Sequence, residues 1–315
     1  KSSDPRVAFH VASSVWSQTL LETFIAVCAS AYDAQAFNQA PDPVAINSWC
    51  AEKTQNKIDS IVPKDAPLDP EGAMLVNALY FKGEWKNKFD TSRTRPATFF
   101  DASGGEINCQ MMNAVGEKNK FAYLETNTYQ MACLPYGDNG EYSAMIVLPR
   151  GDSSPTLSMR GGHGRSGPGS SVVGAARYPR PATVLEVLMD LTTQWKDDLQ
   201  SIKGTLKFPR FKVESEMELG PLFEARGMQL AFKAGADFGA MSSVPLFISK
   251  VIHKTFVEVN EEGTEAAAIT AVMALKCLPP PEPVFTMECN RPFLFFIRHE
   301  HTKAIIFSGV VLKPE

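Results

Sequence analysis

The sequence predicts an α+β fold, because segments with a strand pattern outnumber those with a helical pattern and the two kinds do not alternate regularly. Regular alternation would instead indicate a doubly wound parallel sheet. The apolar fraction of 44% and the charged fraction of 21% in 315 residues are typical of a globular protein with a sizeable core.

The first segments have the patterns of a strand and two helices. Val7–Val15 alternates apolar with small or polar residues, as a half-buried strand does, and Leu20–Tyr32 has a helical pattern. Asp42 and Pro43 supply an N-cap and a first-turn proline for a second helix. We expect its apolar face at Ile46, Trp49, Ile58 and Ile61, and its end at Pro63 and Pro67.

Strand patterns dominate the rest of the chain. Met74–Phe81 is too apolar for a half-exposed strand and should be central, with both faces covered. Ile248–Val259 should form a second long strand, whereas Leu185–Leu199 and Glu218–Met228 are patterned as helices. Further strands are predicted at Ala97–Phe100, Phe121–Tyr123, Met131–Leu134, Tyr142–Leu148, Gly204–Val213, Leu294–Ile297 and Ala304–Val311.

The segment Ser158–Val184 does not fit this pattern. It contains six glycines, three prolines and four arginines, and it has no Asp or Glu. Such a composition cannot bury a core, so we expect a flexible surface excursion.

Charge and cysteine spacing exclude several classes of protein. The formal net charge of −4 gives no reason to expect nucleic acid or an anionic membrane as a partner. No apolar run is long enough to span a bilayer. The six cysteines have neither a Cys-x-x-Cys spacing nor histidines at zinc-ligand spacing, so we expect no metal and no cofactor.

Two short motifs resemble enzyme sites but lack the necessary context. Gly162–Gly167 matches the dinucleotide-binding pattern, but the strand and helix that this pattern requires are absent from its flanks. Gly151–Ser153 is like the nucleophile motif of serine proteases, yet none of the five histidines lies in a recognisable catalytic context. We therefore do not expect an enzyme.

The most informative segment follows the strand Ile248–Val259. A run of small residues after a glycine usually indicates a loose loop or a poor helix. Here Thr264, Ala266, Ala268 and Thr270 would share one face of an extended chain, and this face could enter a narrow slot within a sheet. Gly263 gives the backbone freedom to act as a hinge.

Four stretches carry a specific resemblance: Leu75–Trp85, Lys250–Asn260, Glu261–Ala268 and Met287–Ile297. Together they resemble the serpin family across nearly the whole chain, apart from Ser158–Val184, which would be an insertion. The resemblance implies a serpin fold with three β-sheets, one of them large and central, surrounding helices and an exposed reactive-centre loop over residues 261–283. Serpins begin with several helices that should precede Lys1, so we expect a single domain over residues 1–315 without those helices.

The resemblance also assigns residues. Asn77 and His253 resemble the polar pair at the shutter, where the two central strands part, and Trp85 resembles the tryptophan of the breach, where the loop first enters. The hinge residues would be Glu261, Glu262, Gly263, Thr264, Glu265, Ala266, Ala267 and Ala268. The signature residues would be Asn290, Arg291, Pro292 and Phe293.

The implied function is inhibition of a serine protease through acylation and loop insertion. The family's loop length places the reactive bond at Cys277–Leu278, with Lys276–Cys277 as the alternative. The target could be trypsin-like or elastase-like, and a cysteine protease is not excluded. We expect a monomer and favour an extracellular over a cytoplasmic location. The alternative function is that of a non-inhibitory serpin that serves as a storage protein, carrier or chaperone.

Overall fold

The computed structural model describes residues 3–150, 199–264 and 285–314. The predicted insertion, the helix predicted at 185–199 (except its last residue) and most of the predicted reactive-centre loop lie outside these residues. In chain order, the elements are β1 Val7–Ser17, α1 Glu22–Tyr32, β2 Gln35–Asn38, α2 Pro43–Lys53, β3 Ala73–Glu84, β4 Arg95–Phe100, β5 Glu106–Glu125, β6 Tyr129–Pro135, β7 Tyr142–Pro149, β8 Gln200–Pro209, β9 Phe211–Glu218, α3 Gly220–Ala225, β10 Ile248–Val259, β11 Gly263–Thr264, β12 Phe285–Glu288, β13 Phe293–His299 and β14 Ile305–Val311.

The described residues cluster into two compact units, through both of which β3 and β10 run. The first unit contains residues 7–82 and 213–257, and the second contains residues 4–6, 83–212 and the chain from 258 onward. Whether the chain is a single serpin domain stays a prediction.

A six-stranded sheet has the order β2-β1-β3-β11-β10-β9. Within the first unit, β3 and β10 pair directly and in parallel from Ala73 and Ile248 to Tyr80 and Phe256. The apolar pattern of β3 is explained by burial, because eight of its twelve residues are buried. The prediction of a central strand covered on both faces is confirmed.

The helix α2 starts as predicted but ends early. The Asp42 carboxylate accepts a hydrogen bond from the Ala45 N–H at 2.8 Å, and Pro43 occupies the first turn. The helix stops at Lys53, because Gln55 and Asn56 adopt positive φ angles of 55° and 60°. The prediction that it reaches Pro63 is therefore wrong.

The apolar pattern continues beyond the end of α2 for a different reason. Asn47 accepts hydrogen bonds from the N–H groups of Ile61 and Val62 at 2.8 and 3.0 Å, which folds the following segment back along the helix. Ile58 and Ile61 consequently join Ile46 in the same core cluster without being helical. The periodic pattern of apolar residues after Lys53 therefore results from the burial of Ile58 and Ile61, and not from a longer helix.

The second unit is built on an eight-stranded sheet. Its order is β12-β8-β5-β6-β7-β13-β14, and β4 also pairs with β5. The family resemblance implies three sheets, but the described residues form two hydrogen-bonded sheets. The reason is the 20-residue strand β5, which pairs with β4 and β8 in its first half and with β6 and β8 in its second half. One long strand thus joins two groups of strands.

Most of the other predicted elements are present, with shifted ends. β10 has the predicted bounds, whereas the strand predicted at Gly204–Val213 is divided between β8 and β9 after Pro209. The helix predicted at Glu218–Met228 is the shorter α3. The strands β2 and β12 were not predicted. No helix in the described part of the chain combines the length and the apolar character needed to cross a bilayer.

Candidate functional site at the hinge between two central strands

Asn77 and His253 lie directly opposite each other on β3 and β10. Their Oδ1 and Nδ1 atoms are 2.7 Å apart, and Asn77 Nδ2 donates to Ser13 Oγ on β1 at 3.0 Å. Because an amide oxygen can only accept, His253 must carry its proton on Nδ1. The structure therefore brings the predicted shutter pair together and adds Ser13, which the sequence analysis missed. Three neighbouring strands are joined by these two side-chain bonds.

Burial lowers the pKa of His253 below its ordinary value of 6.5. The folded protein consequently favours the neutral imidazole. The charged form would be desolvated between two strands, and no carboxylate among the described residues forms an ion pair with it.

Beyond this pair, a third strand lies between β3 and β10. The two-residue strand β11 runs antiparallel to both neighbours, with Gly263 opposite Glu84, and with Thr264 opposite Gly83 on one side and Val259 on the other. The start of the predicted hinge thus already occupies a position between the two central strands. Residues 265–268, 276, 277 and 278 of the predicted site lie outside the described residues.

A tight turn connects β10 to β11. Asn260 and Gly263 exchange backbone hydrogen bonds of 2.8 and 3.2 Å, and the Asn260 side chain accepts from the Glu262 N–H at 3.0 Å. Gly263 has a φ of 144°, and a Cβ there would lie 2.0 Å from the carbonyl oxygen of Gly83. The position therefore requires glycine for two reasons, its backbone angle and its close approach to β3.

The segment that follows β3 holds this turn. The backbone N–H of Trp85 donates to Glu262 O at 2.7 Å, and that of Phe89 donates to Glu261 O at 2.9 Å. The indole Nε1 of Trp85 donates to Asn260 O at 2.9 Å. Trp85 is 1% exposed and stacks on Tyr136 at 4.5 Å between ring centroids. The predicted breach tryptophan is therefore both a core aromatic and a direct hydrogen-bond partner of the hinge.

Glu261 is buried, with 3% of its surface exposed, and its charge is compensated. Arg210 Nε donates to both carboxylate oxygens at 2.9 and 2.8 Å, and Thr94 Oγ1 donates to one of them. Burial alone would raise the pKa of Glu261, but the hydrogen bonds from Arg210 and Thr94 outweigh it, and the pKa lies below the usual 4.5. Sequence analysis missed both partners, although a buried hinge carboxylate requires a donor.

Glu262 faces a second cation. Lys88 forms ion pairs with Glu262 and, at 3.0 Å, with Glu84. The hydrogen bond to Glu262 is the main cause of the raised pKa of Lys88. Both hinge glutamates are thus held within the second unit through side chains as well as through the backbone.

The predicted signature residues connect β12 to β13. The Asn290 carbonyl accepts from the Phe100 N–H at 2.8 Å, and Arg291 donates to the Pro149 carbonyl at 2.9 Å. Pro292 is buried, and Phe293 starts β13 with no exposed surface. These contacts fix the chain on the far side of the predicted loop.

Replacing His253 by alanine should destabilise the protein by about 1 kcal/mol at pH 7.5, because Asn77 Oδ1 loses its donor in a half-buried place. This loss in the free energy of unfolding should be smaller at pH 5.5. The folded pKa of His253 lies below 6.5, so protonation below pH 6.5 destabilises the parent protein but not the variant. Urea unfolding at the two pH values measures this. Exposed His301→Ala is the control, and an equal cost for His253→Ala at both pH values would contradict the assignment.

Replacing Gly263 by alanine should destabilise the protein by ~3 kcal/mol, because a Cβ at this φ meets the backbone of β3. Gly235→Ala is the matched control, because no atom lies within 4 Å of a Cβ there. The midpoints of urea unfolding compare the two variants. If Gly263→Ala is as stable as Gly235→Ala, the turn does not press against β3.

The comparisons with known proteins agree with this geometry. A family model described as "Serpin (serine protease inhibitor)" matches residues 1–160 and 179–314. Leukocyte elastase inhibitor of Xenopus tropicalis and leukocyte elastase inhibitor A of Mus musculus are each 35% identical over 271 residues, which is 85% of this chain and 65% of each relative. The native thermophilic serpin tengpin has a TM-score of 0.78 at 26% identity, covering 99% of this chain and 75% of tengpin. The chain thus spans about 65% of the length of its curated relatives, and it belongs to the serpin family.

Proposed function

We propose that the chain is the main part of a serine protease inhibitor that acts by inserting its reactive-centre loop, residues 261–283, between β3 and β10. The observation that carries the proposal is β11, which pairs with both strands and so begins the insertion at its entrance. Two relatives that are named leukocyte elastase inhibitors support the inhibitory function.

Each step of the proposed insertion has a physical reason. Below β11, the strands β3 and β10 pair directly, and an inserted loop would replace this ladder by two ladders. A dozen additional backbone hydrogen bonds at ~1 kcal/mol each favour the inserted state by on the order of 10 kcal/mol. The loop would also have to break the bond between Asn77 and His253. This bond resists opening weakly, at about 1 kcal/mol.

The proposed reactive bond is Cys277–Leu278, with Lys276–Cys277 as the alternative. A target protease would attack this bond and form an acyl-enzyme, which insertion would distort before hydrolysis. Cys277 is small and moderately apolar, and such a residue before the reactive bond suits an elastase-like protease. This agrees with the names of the relatives. Lys276 would suit a trypsin-like one. In this proposal the chain is attacked by the target protease as a substrate would be, and it is not itself an enzyme.

The proposed insertion, the cellular location and the monomeric state differ in the support that the comparisons give them. The family model leaves out residues 161–178, which lie within the proposed insertion 158–184. The names of the relatives give no support for the extracellular location that we favoured. The monomeric state stays a prediction.

Thr264→Arg tests the proposal in the full-length gene product. Thr264 lies between Gly83 and Val259, so a long charged side chain at this position should slow the entry of the loop. Acylation at a bond more than ten residues away should be unaffected, and the variant should be cut and released as a substrate. Denaturing gels with trypsin-like, chymotrypsin-like and elastase-like proteases measure the covalent complex.

Glu265→Arg is the matched control, because neighbouring residues of a strand point to opposite faces. The parent and this control should form a covalent complex with at least one protease, whereas Thr264→Arg should give mainly cleaved chain. Equal trapping by Thr264→Arg would exclude insertion through this hinge. The absence of any complex with the parent would favour a non-inhibitory serpin.

A further inference from the structure

The second unit contains a cavity of about 620 Å³ beside the hinge. Its described lining is mainly apolar, with Trp85, Phe89, Phe121, Leu134 and Leu199 among its walls. Cavities of this size and character are typical of sites for small organic molecules of a few hundred daltons. Neither the fold nor the proposed inhibitory mechanism requires a cavity here.

The cavity shares a wall with the anchor of the hinge. Trp85, Lys88 and Phe89 line the cavity, and the same three residues bind the turn through its backbone or through the Glu262 carboxylate. A molecule in the cavity would therefore contact the residues that hold Glu261 and Glu262. Such a molecule can shift the hinge between two positions only if it binds the protein with a different affinity in each position.

The charges around the cavity indicate the kind of ligand. Asp90 and Arg93 pair with each other at 3.4 Å, and Glu300 pairs with Arg298. Lys88 is engaged by the glutamates of β3 and the hinge. Lys120 is exposed, and within the described part of the chain it forms no ion pair. An apolar body with one negative charge complements these walls and this lysine.

We propose that this cavity binds an amphipathic aromatic monoanion, such as an aryl carboxylate or sulfonate, and that its occupancy stabilises the hinge in the position seen here. The ligand's aromatic body lies against Trp85 and Phe89, and its anionic group faces Lys120. The regulatory consequence, slower loop insertion, rests on the proposed inhibitory function. The binding itself and its effect on the hinge do not.

The test uses 8-anilinonaphthalene-1-sulfonate, an aromatic monoanion whose fluorescence rises in apolar surroundings. It should bind the chain at one saturable site. Lys120→Glu should weaken this binding roughly fivefold by reversing the charge that faces the sulfonate. Ala122→Phe, which places a ring in the cavity, should weaken it by at least about tenfold. Lys64→Glu, an exposed position in the first unit, is the control with the same change in net charge.

Hydrogen exchange then tests the link to the hinge. The bound probe should slow exchange at the amides of Trp85 and Phe89, which donate to the turn, by at least about threefold. Binding that both cavity variants leave unchanged, or the lack of a saturable site, would overturn the proposal. Binding without slower exchange would overturn the link to the hinge. If Ala122→Phe fails to fold, the affinity of Lys120→Glu for the probe alone decides whether the site is the proposed cavity. A failure to trap proteases changes none of these readouts.

Discussion

The position of the hinge depends on the contact between the segment Trp85–Phe89 and the turn Asn260–Gly263. Two backbone N–H groups and one indole N–H from this segment donate to three successive carbonyl groups of the turn. The donors are fixed in place, because Trp85 is packed against Tyr136 and makes edge contacts with Phe89 and Phe208. A two-residue strand such as β11 forms too few ladder bonds, at ~1 kcal/mol each, to offset the ordering of its own backbone. The anchored turn therefore has to hold it.

The two ends of the proposed insertion path differ in the charge of their side chains. At the entrance, a buried carboxylate is bound by Arg210 and Thr94, so losing Arg210 would leave a charge without a cationic partner in a desolvated place. At the shutter, Asn77 and His253 are half-buried and are joined by one hydrogen bond between uncharged side chains. The loop insertion that we propose would keep the charged contacts of the hinge and break the uncharged bond at the shutter.

The sequence allowed good prediction where one local cause determines the structure. The strand β10 has the predicted bounds because its apolar pattern ends at Val259, just before Asn260 and Glu261, and α2 begins at the predicted cap. The end of α2 was wrong because burial of Ile58 and Ile61 imitates helical periodicity. The described residues form two hydrogen-bonded sheets because the 20-residue strand β5 joins two groups of strands, and the length of β5 cannot be judged from segments that show a clear pattern only in part.

The site was predictable in part for the same reason. Asn77, His253, Trp85 and Gly263 could be assigned because each lies in a stretch with a specific resemblance. Arg210 lies 51 residues from Glu261, and their contact arises only when β8 and the turn are brought together. A buried carboxylate implies a cationic partner, but it does not say which of the 31 lysines and arginines fills that role. Long-range pairing of this kind requires the structure.

The central claim is that specific contacts hold the turn Asn260–Gly263 in place, and the buried ion pair between Arg210 and Glu261 is the contact that a double-mutant cycle can isolate. A double-mutant cycle with Arg210→Met and Glu261→Gln, followed by urea unfolding at pH 7, measures it most directly. We expect each single variant to lose stability and the two changes to be strongly non-additive, with a coupling free energy of about 1–3 kcal/mol. A coupling free energy near zero would contradict the account, because the two side chains would then contribute independently and their ion pair would not help to hold the turn.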